Sequence, residues 1–346
     1  MDVRGVHYDV GHRYATDRGI ETTRPRFDLA SVESDMATIA GALHANTVRV
    51  AGTDPGRLRA ASRAALDAGL AVWLSPHPAD LASDEIVAYL AEAARIAEDV
   101  RSAGGQITMV AGCELSLFAA GYLPGATLDE RLSALTGSTP VPDLSARFEQ
   151  LPHALNSTLA SVAAAIKDRF AGPVTYASAP WEVVDWAPFD VVSVDLYRDS
   201  TNRIAYRDLL RGYGKFGKPI VVSEFGCCTY QGAAEAGGAG FMIIDDGPAP
   251  TVKRPPPARS EAEQANYAKE LLAIFETEEL HGAFWHTFAG WTFPHRPDPE
   301  TDLDLGSFGL VKIHDSFQHP PIRVPKQAFY EVAAPYATYA DRTRRA

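Results

Sequence analysis

Cysteine is scarce. Cys113, Cys227 and Cys228 are the only three in 346 residues. An odd number, two of them adjacent, excludes a disulfide framework. A chain this long buries enough apolar surface to need no such staple. Dense Lys/Arg runs are absent and the formal net charge is −12, which excludes a nucleic-acid footprint. No segment reaches about 18 continuous apolar residues, so no membrane span is expected. The opening Met1-Asp-Val-Arg-Gly lacks a basic stretch followed by an apolar run, so the expected location is the cytoplasm. There is no repeat, no low-complexity tract and no interdomain linker.

What is present is ordinary for a globular protein, with 46% hydrophobic and 22% charged residues. The organising stretch is Lys218-Pro-Ile-Val-Val-Ser-Glu-Phe-Gly226. Its apolar run, 219–223, is short and β-branched. It predicts a buried parallel strand with Glu224 at its C-terminal end. Ile107-Thr-Met-Val-Ala-Gly-Cys-Glu114 has the same design. A carboxylate at the end of a buried strand does nothing for the fold. Two of them predict a paired-carboxylate active site.

The remaining segments alternate. Strands are expected at 3–8, 47–50, 70–74, 107–111, 173–177, 190–196, 219–223 and 282–287. Helices are expected at 29–44, 55–68, from Ser83 to Gly104, and at 144–169, 203–213, from Ser260, and at 326–338. The spacing of Val32, Met36, Ile39 and Leu43 marks one helical face, and Ile86, Leu90, Ala93, Ala97 and Val100 mark another. Ser260-Glu-Ala-Glu263 has the pattern of a capping box. Eight alternating units predict a single (β/α)8 TIM barrel spanning 1–346. An open doubly wound sheet would show a Gly-rich turn after 3–8, and none occurs. Long irregular stretches at 115–143, 227–259 and 288–325 follow strands four, seven and eight. They fall on the face where barrel active sites sit, and they predict walls of a pocket.

At this point the sequence resembles the clan A glycoside hydrolases, nearly along its whole length but only through short motifs. Ser223-Glu224-Phe-Gly226 resembles that clan's nucleophile motif, and Glu114 holds the place of its acid/base. Arg49 on strand two matches the arginine beneath the nucleophile. Tyr197 matches the tyrosine that donates to it. Trp285 matches the tryptophan that floors the sugar subsite, with Trp291 nearby as a second aromatic wall. His77 falls where many members carry a strand-three histidine. One residue departs: Cys113 stands where the clan has the asparagine that binds the sugar 2-hydroxyl. A thiol is a weak donor and a poor acceptor, which leaves room for a 2-substituted or 2-deoxy sugar.

The resemblance implies a retaining glycosidase cleaving a small β-glycoside or glycosylated metabolite. No cofactor is expected, and the partner is a small-molecule glycoside. Three other readings are weighed against it. A metal-dependent barrel would draw on His7, Asp9, His77, Asp195 and His286, but no His-x-His follows strand one. Cys113 could be a nucleophile. A non-catalytic or repurposed barrel could bind a carbohydrate-like ligand or a partner and keep its carboxylates.

Overall fold

The computed structural model describes residues 1–137, 144–245, 247, 249–314 and 321–345. Eight strands close into a barrel: β1 (Val3–Gly11), β2 (Thr47–Gly52), β3 (Ala71–Pro76), β4 (Ile107–Cys113), β5 (Val174–Ser178), β6 (Val192–Asp195), β7 (Ile220–Phe225) and β8 (Gly282–Trp285). Every neighbouring pair is parallel, and the ring closes through β1 against β8. This is the (β/α)8 TIM barrel. All six positions of β2 are buried, as expected for a strand covered on both sides.

The lower barrel is filled by Trp73, Val110, Val221 and Phe284. Gly5 makes room for them. A Cβ there would stand 2.1 Å from the Phe284 ring. Phe284 therefore points inward, and pleat alternation turns Trp285 outward.

The outer layer begins with α1 (Leu29–Gly41), α2 (Pro55–Asp67) and α3 (Ser83–Ser102). Asp28 and Asp54 cap the first two by accepting the amides of Ser31 and Arg57. The expected faces of α1 and α3 are buried throughout. Next come α4 (Leu115–Phe118), α5 (Leu128–Leu135) and α6 (Leu144–Lys167), then α7 (Tyr206–Gly212), α8 (Ala233–Ala236), α9 (Glu261–Thr277) and α10 (Gln327–Arg345).

The stretches read as irregular carry structure of their own. Residues 115–143 contain α4 and α5, and 227–259 contain α8 and a 3-10 turn at Gly237–Ile243. Residues 288–325 supply a three-stranded sheet of Ala289–Pro294, Val311–His314 and Ile322–Pro325. The parts of these stretches at 138–143, 246, 248 and 315–320 lie outside the described residues. Short strands far from their partners leave little periodicity, which is why the sequence did not announce them.

The capping box at α9 forms only by half. Ser260 accepts the Glu263 amide, but the Glu263 carboxylate turns away to the amides of Gly232 and Ala234. It thereby ties the β7 loop to α9. Among the described residues, no helix is long and apolar enough to cross a membrane.

Candidate active site

The C-terminal mouth of the barrel opens into a cavity of ≈ 450 Å³. Glu224 lies on its floor. Ser223 and Glu224 are consecutive, yet both bond inward-facing groups, which regular alternation forbids. The ladder adjusts at both edges of β7. Register shifts occur between Val194 and Asp195 on one side and between Ala283 and Trp285 on the other. Such irregularities re-aim a side chain at a barrel rim.

Glu224 is held from three directions. Arg49 Nη1 donates to Oε1 at 3.1 Å, and Tyr197 Oη donates to Oε2 at 3.0 Å. His286 Nδ1 lies 3.4 Å from Oε2, without hydrogen-bond alignment. Burial and the Arg49 cation push the His286 imidazole down to about 4, so it stays neutral near pH 7. Burial raises the Tyr197 phenol well above its usual range and keeps it a donor. Arg49 is itself fully enclosed. Its Nε donates to Ser75 Oγ at 3.2 Å, and its Nη1 also reaches the Ser223 carbonyl at 3.1 Å.

A second carboxylate lies beneath. Asp195 accepts Ser223 Oγ at 2.6 Å, lies 3.5 Å from Arg49 Nη1, and accepts the Cys113 thiol at 3.3 Å. Burial first, and the Glu224 charge second, push the Asp195 carboxyl up to about 7. The Cys113 thiol is raised well above its ordinary value, by burial and then by the Asp195 charge. Its burial and its hydrogen bond to Asp195 disfavour the thiolate that a nucleophile would need.

Glu114 follows β4 at a sharp bend. Gly112 has φ +103° and Glu114 has φ 42°. The bend is braced from behind. The Leu115 amide donates to Tyr176 Oη at 2.8 Å, and Tyr176 in turn donates to Glu182 at 2.8 Å. Glu182 also accepts the Ser116 amide at 3.0 Å. Burial raises the Glu114 carboxyl well above the usual carboxylate range, and the charges of Asp195 and Glu224 raise it further.

Among the sequence-predicted residues, Glu114, Glu224, Arg49, His77, Cys113, Tyr197 and Trp291 line this one cavity. Trp285 does not. It is fully buried on the helix side of β8, edge-on to Phe225, with Nε1 donating to the Phe308 carbonyl at 2.9 Å. The cavity-facing residue of β8's end is His286. Phe284 facing inward was the available signal, because inward positions recur every second residue. Trp291 Nε1 donates to the Asp9 carbonyl at 3.0 Å, and Arg24 stacks on its ring at 3.9 Å.

The polar set that the sequence offered for a metal-dependent barrel, His7, Asp9, His77, Asp195 and His286, does converge here, and His12 joins it unforeseen. His7, Asp9 and His12 line the cavity beside His77 and His286. His7 packs 4.7 Å from His286, and His12 packs 4.5 Å from His77. Asp9 holds His12 Nδ1 at 3.1 Å. Burial pushes His7 and His77 well below the ordinary histidine range.

Among the described residues, two groups have donor atoms close enough to share a metal ion, His7/Glu224/His286 and Cys113/Asp195/Glu224. Both share Glu224, whose Oε1 already faces the Arg49 cation at 3.1 Å. A dication there would meet that charge directly.

No family model matches the sequence, and no curated protein matches it. Solved structures do match. A GH113 β-1,4-mannanase aligns over 97% of this chain and 99% of its own, at 15% identity and a TM-score of 0.63. The fold it shares with this chain is the (β/α)8 barrel. β-Glucosidase 1317 aligns over 98% of both chains at 12% identity and a TM-score of 0.59. A family 5 glycoside hydrolase from Prevotella bryantii B14 aligns over 97% of this chain and 96% of its own, at 13% identity and a TM-score of 0.56. At such identities the likeness is one of fold.

Proposed function

We propose that this chain is a retaining glycosidase acting on a small β-glycoside, with one barrel domain over 1–346 carrying the chemistry. Glu224 is the nucleophile and Glu114 the acid/base. The observation that carries this reading is the contrast between two carboxylates on one cavity. Glu224 is held in place by a buried cation and a phenol donor. Glu114 is enclosed among other carboxylates, which favours its proton. Opposed environments for two acids are how one site runs both roles.

In the first step a Glu224 oxygen bonds the anomeric carbon as the bond to the leaving oxygen breaks. Glu114 delivers its proton to that oxygen. Once glycosylated, Glu224 carries no charge, so Glu114 sheds its proton more readily. It then takes a proton from water, whose oxygen bonds the anomeric carbon and releases Glu224. Arg49 and Tyr197 orient Glu224, while His77, His286 and Trp291 contact the sugar. Cys113 acts through Asp195 and offers the 2-position little hydrogen bonding. The fold neighbours named as a β-glucosidase and β-1,4-mannanases agree with a β-linked substrate.

The test is a screen of aryl β-glycosides with activated leaving groups, run beside Glu224→Gln. Turnover by the wild type and its loss in a folded variant are expected. Unchanged turnover in Glu224→Gln would reject the assignment.

A further inference from the structure

The cavity has two unlike walls, and their positions relative to the two carboxylates differ. Around Glu224 the lining is polar, with His7, His286, Arg49 and Tyr197 within a few residues' reach. Beyond Glu114 it is largely apolar, with the Tyr14 and Thr136 hydroxyls as its polar exceptions. Glu114 itself caps α4, whose Leu117 and Phe118 line the cavity. Trp181, also lining, is tied to that helix by its Nε1 donating to Ser116 Oγ at 3.0 Å.

A second helix extends this wall. α5 turns Leu128, Leu132 and Leu135 toward the cavity, at the i, i+4, i+7 spacing of one helical face. All three are only half-buried among the described residues. α5 is fixed in place rather than draped. Fully buried Arg131 donates from Nε to the Leu117 carbonyl at 2.7 Å and pairs with Asp80 at 2.5 Å. Thr127 Oγ1 donates to Asp17 at 2.7 Å on the hairpin after β1.

An acid that protonates the leaving oxygen must touch the leaving group. The groups next beyond it therefore receive the aglycone. Resting on the assignment of Glu114 above, we propose that the leaving-group subsite is built for an apolar aglycone, alkyl, terpenoid or aromatic, and not for a further sugar. A second sugar needs hydroxyl partners along its rim. The wall formed by Leu117, Phe118, Leu128, Leu132 and Leu135 offers none from its side chains, and Tyr14 and Thr136 beside it supply too few to line a sugar ring. Burying methylenes against leucine and phenylalanine faces is where such a wall gains binding free energy.

The experiment compares octyl and methyl β-glycosides of the same sugar, across a panel of sugars, below the micelle concentration. Binding is read by tryptophan fluorescence and calorimetry on the whole chain, with disaccharides of the same non-reducing sugar alongside. Octyl ligands should bind at least about tenfold tighter than methyl ligands, since each buried methylene adds to affinity. Leu132→Asn, or Leu128→Asn should the first not fold, should erase most of that advantage. Equal octyl and methyl affinities, or disaccharides bound or cleaved better than octyl glycosides, would overturn the proposal. The parent reading fails differently. An octyl preference without turnover of any aryl glycoside would leave the apolar subsite and remove the chemistry. Turnover without an octyl preference would do the reverse.

Discussion

Of the four acidic groups that line the cavity, Glu114, Asp195 and Glu224 act on one another's charge, and their environments point to different work. Glu114 is enclosed, and burial followed by the charges of Asp195 and Glu224 keeps its proton on. An acid of that kind sets the basic limb of the rate profile, because activity is lost when it ionises. The basic limb of kcat/KM is thus expected above the ordinary carboxylate range. Glu114→Gln should remove that limb. It should also slow alkyl glycosides by roughly 10²–10⁴ while affecting dinitrophenyl glycosides far less, because good leaving groups need no proton. Steady-state kinetics across pH on both substrates checks this. Equal losses on both would contradict it.

Asp195 makes a separate prediction. Its carboxyl is pushed up to about 7, by burial and then by the Glu224 charge. In an unfolded chain it would titrate near about 3.9. Between those values the folded protein holds the extra proton, so this group makes stability fall as pH rises through that window. Asp195→Asn stays neutral and should flatten the decline, by on the order of a few kcal/mol at slightly alkaline pH. Denaturant unfolding at mildly acidic and mildly alkaline pH measures it. An unchanged slope in the variant would show that Asp195 is ionised throughout.

Elements position these residues. β7 delivers Glu224 inward only because the ladder slips at Asp195 and again toward Trp285. β4 delivers Glu114 through Gly112 and the Tyr176–Glu182 brace. α5 depends on Arg131, which is fully buried and bonded to Leu117 and Asp80. Arg131→Ala leaves the Leu117 carbonyl without this donor and Asp80 with only the Ala15 amide among the described residues. Asp80 is partly exposed, so the cost is chiefly that of unpaired polar groups around a lost buried guanidinium, about 1–3 kcal/mol. The cost should appear locally, as protease cleavage between α4 and α5 and a lowered Tm. A variant as resistant as the wild type would show that α5 is held by its leucines alone.

Much of this was legible at the level of elements. Buried strands read as apolar runs, and α1 and α3 displayed their faces through 3.6-residue spacing. Glu224, Glu114, Arg49 and Tyr197 were legible because short motifs sit at strand ends. Trp285 misled because a motif was allowed to outrank pleat parity, which Phe284 fixes. His7 and Asp9 were legible as strand-end polar residues, but His12 was hidden because it lies past Gly11, beyond the apolar run that marked β1. The small sheet around Val311–His314 depends on contacts between distant segments, which no local window records.

At the scale of the molecule, a closed parallel barrel brings strands two, four, six and seven to a single mouth. That convergence turns isolated polar residues into a site, and the βα excursions wall it into a pocket. The fold is shared with glycoside hydrolases at 12–15% identity, so the barrel's generality carries little about the substrate. What is particular to this chain is the chemistry at its rim: a thiol on Asp195, a histidine wall from β1, and a leucine face over Glu114. The account depends on covalent attack by Glu224. The most direct measurement is mass spectrometry after incubation with an activated 2-deoxy-2-fluoro β-glycoside, followed by peptide mapping. The account predicts one sugar added per chain, carried on the peptide containing Glu224. Turnover of the aryl glycoside with no adduct, or an adduct on any other residue, would contradict it.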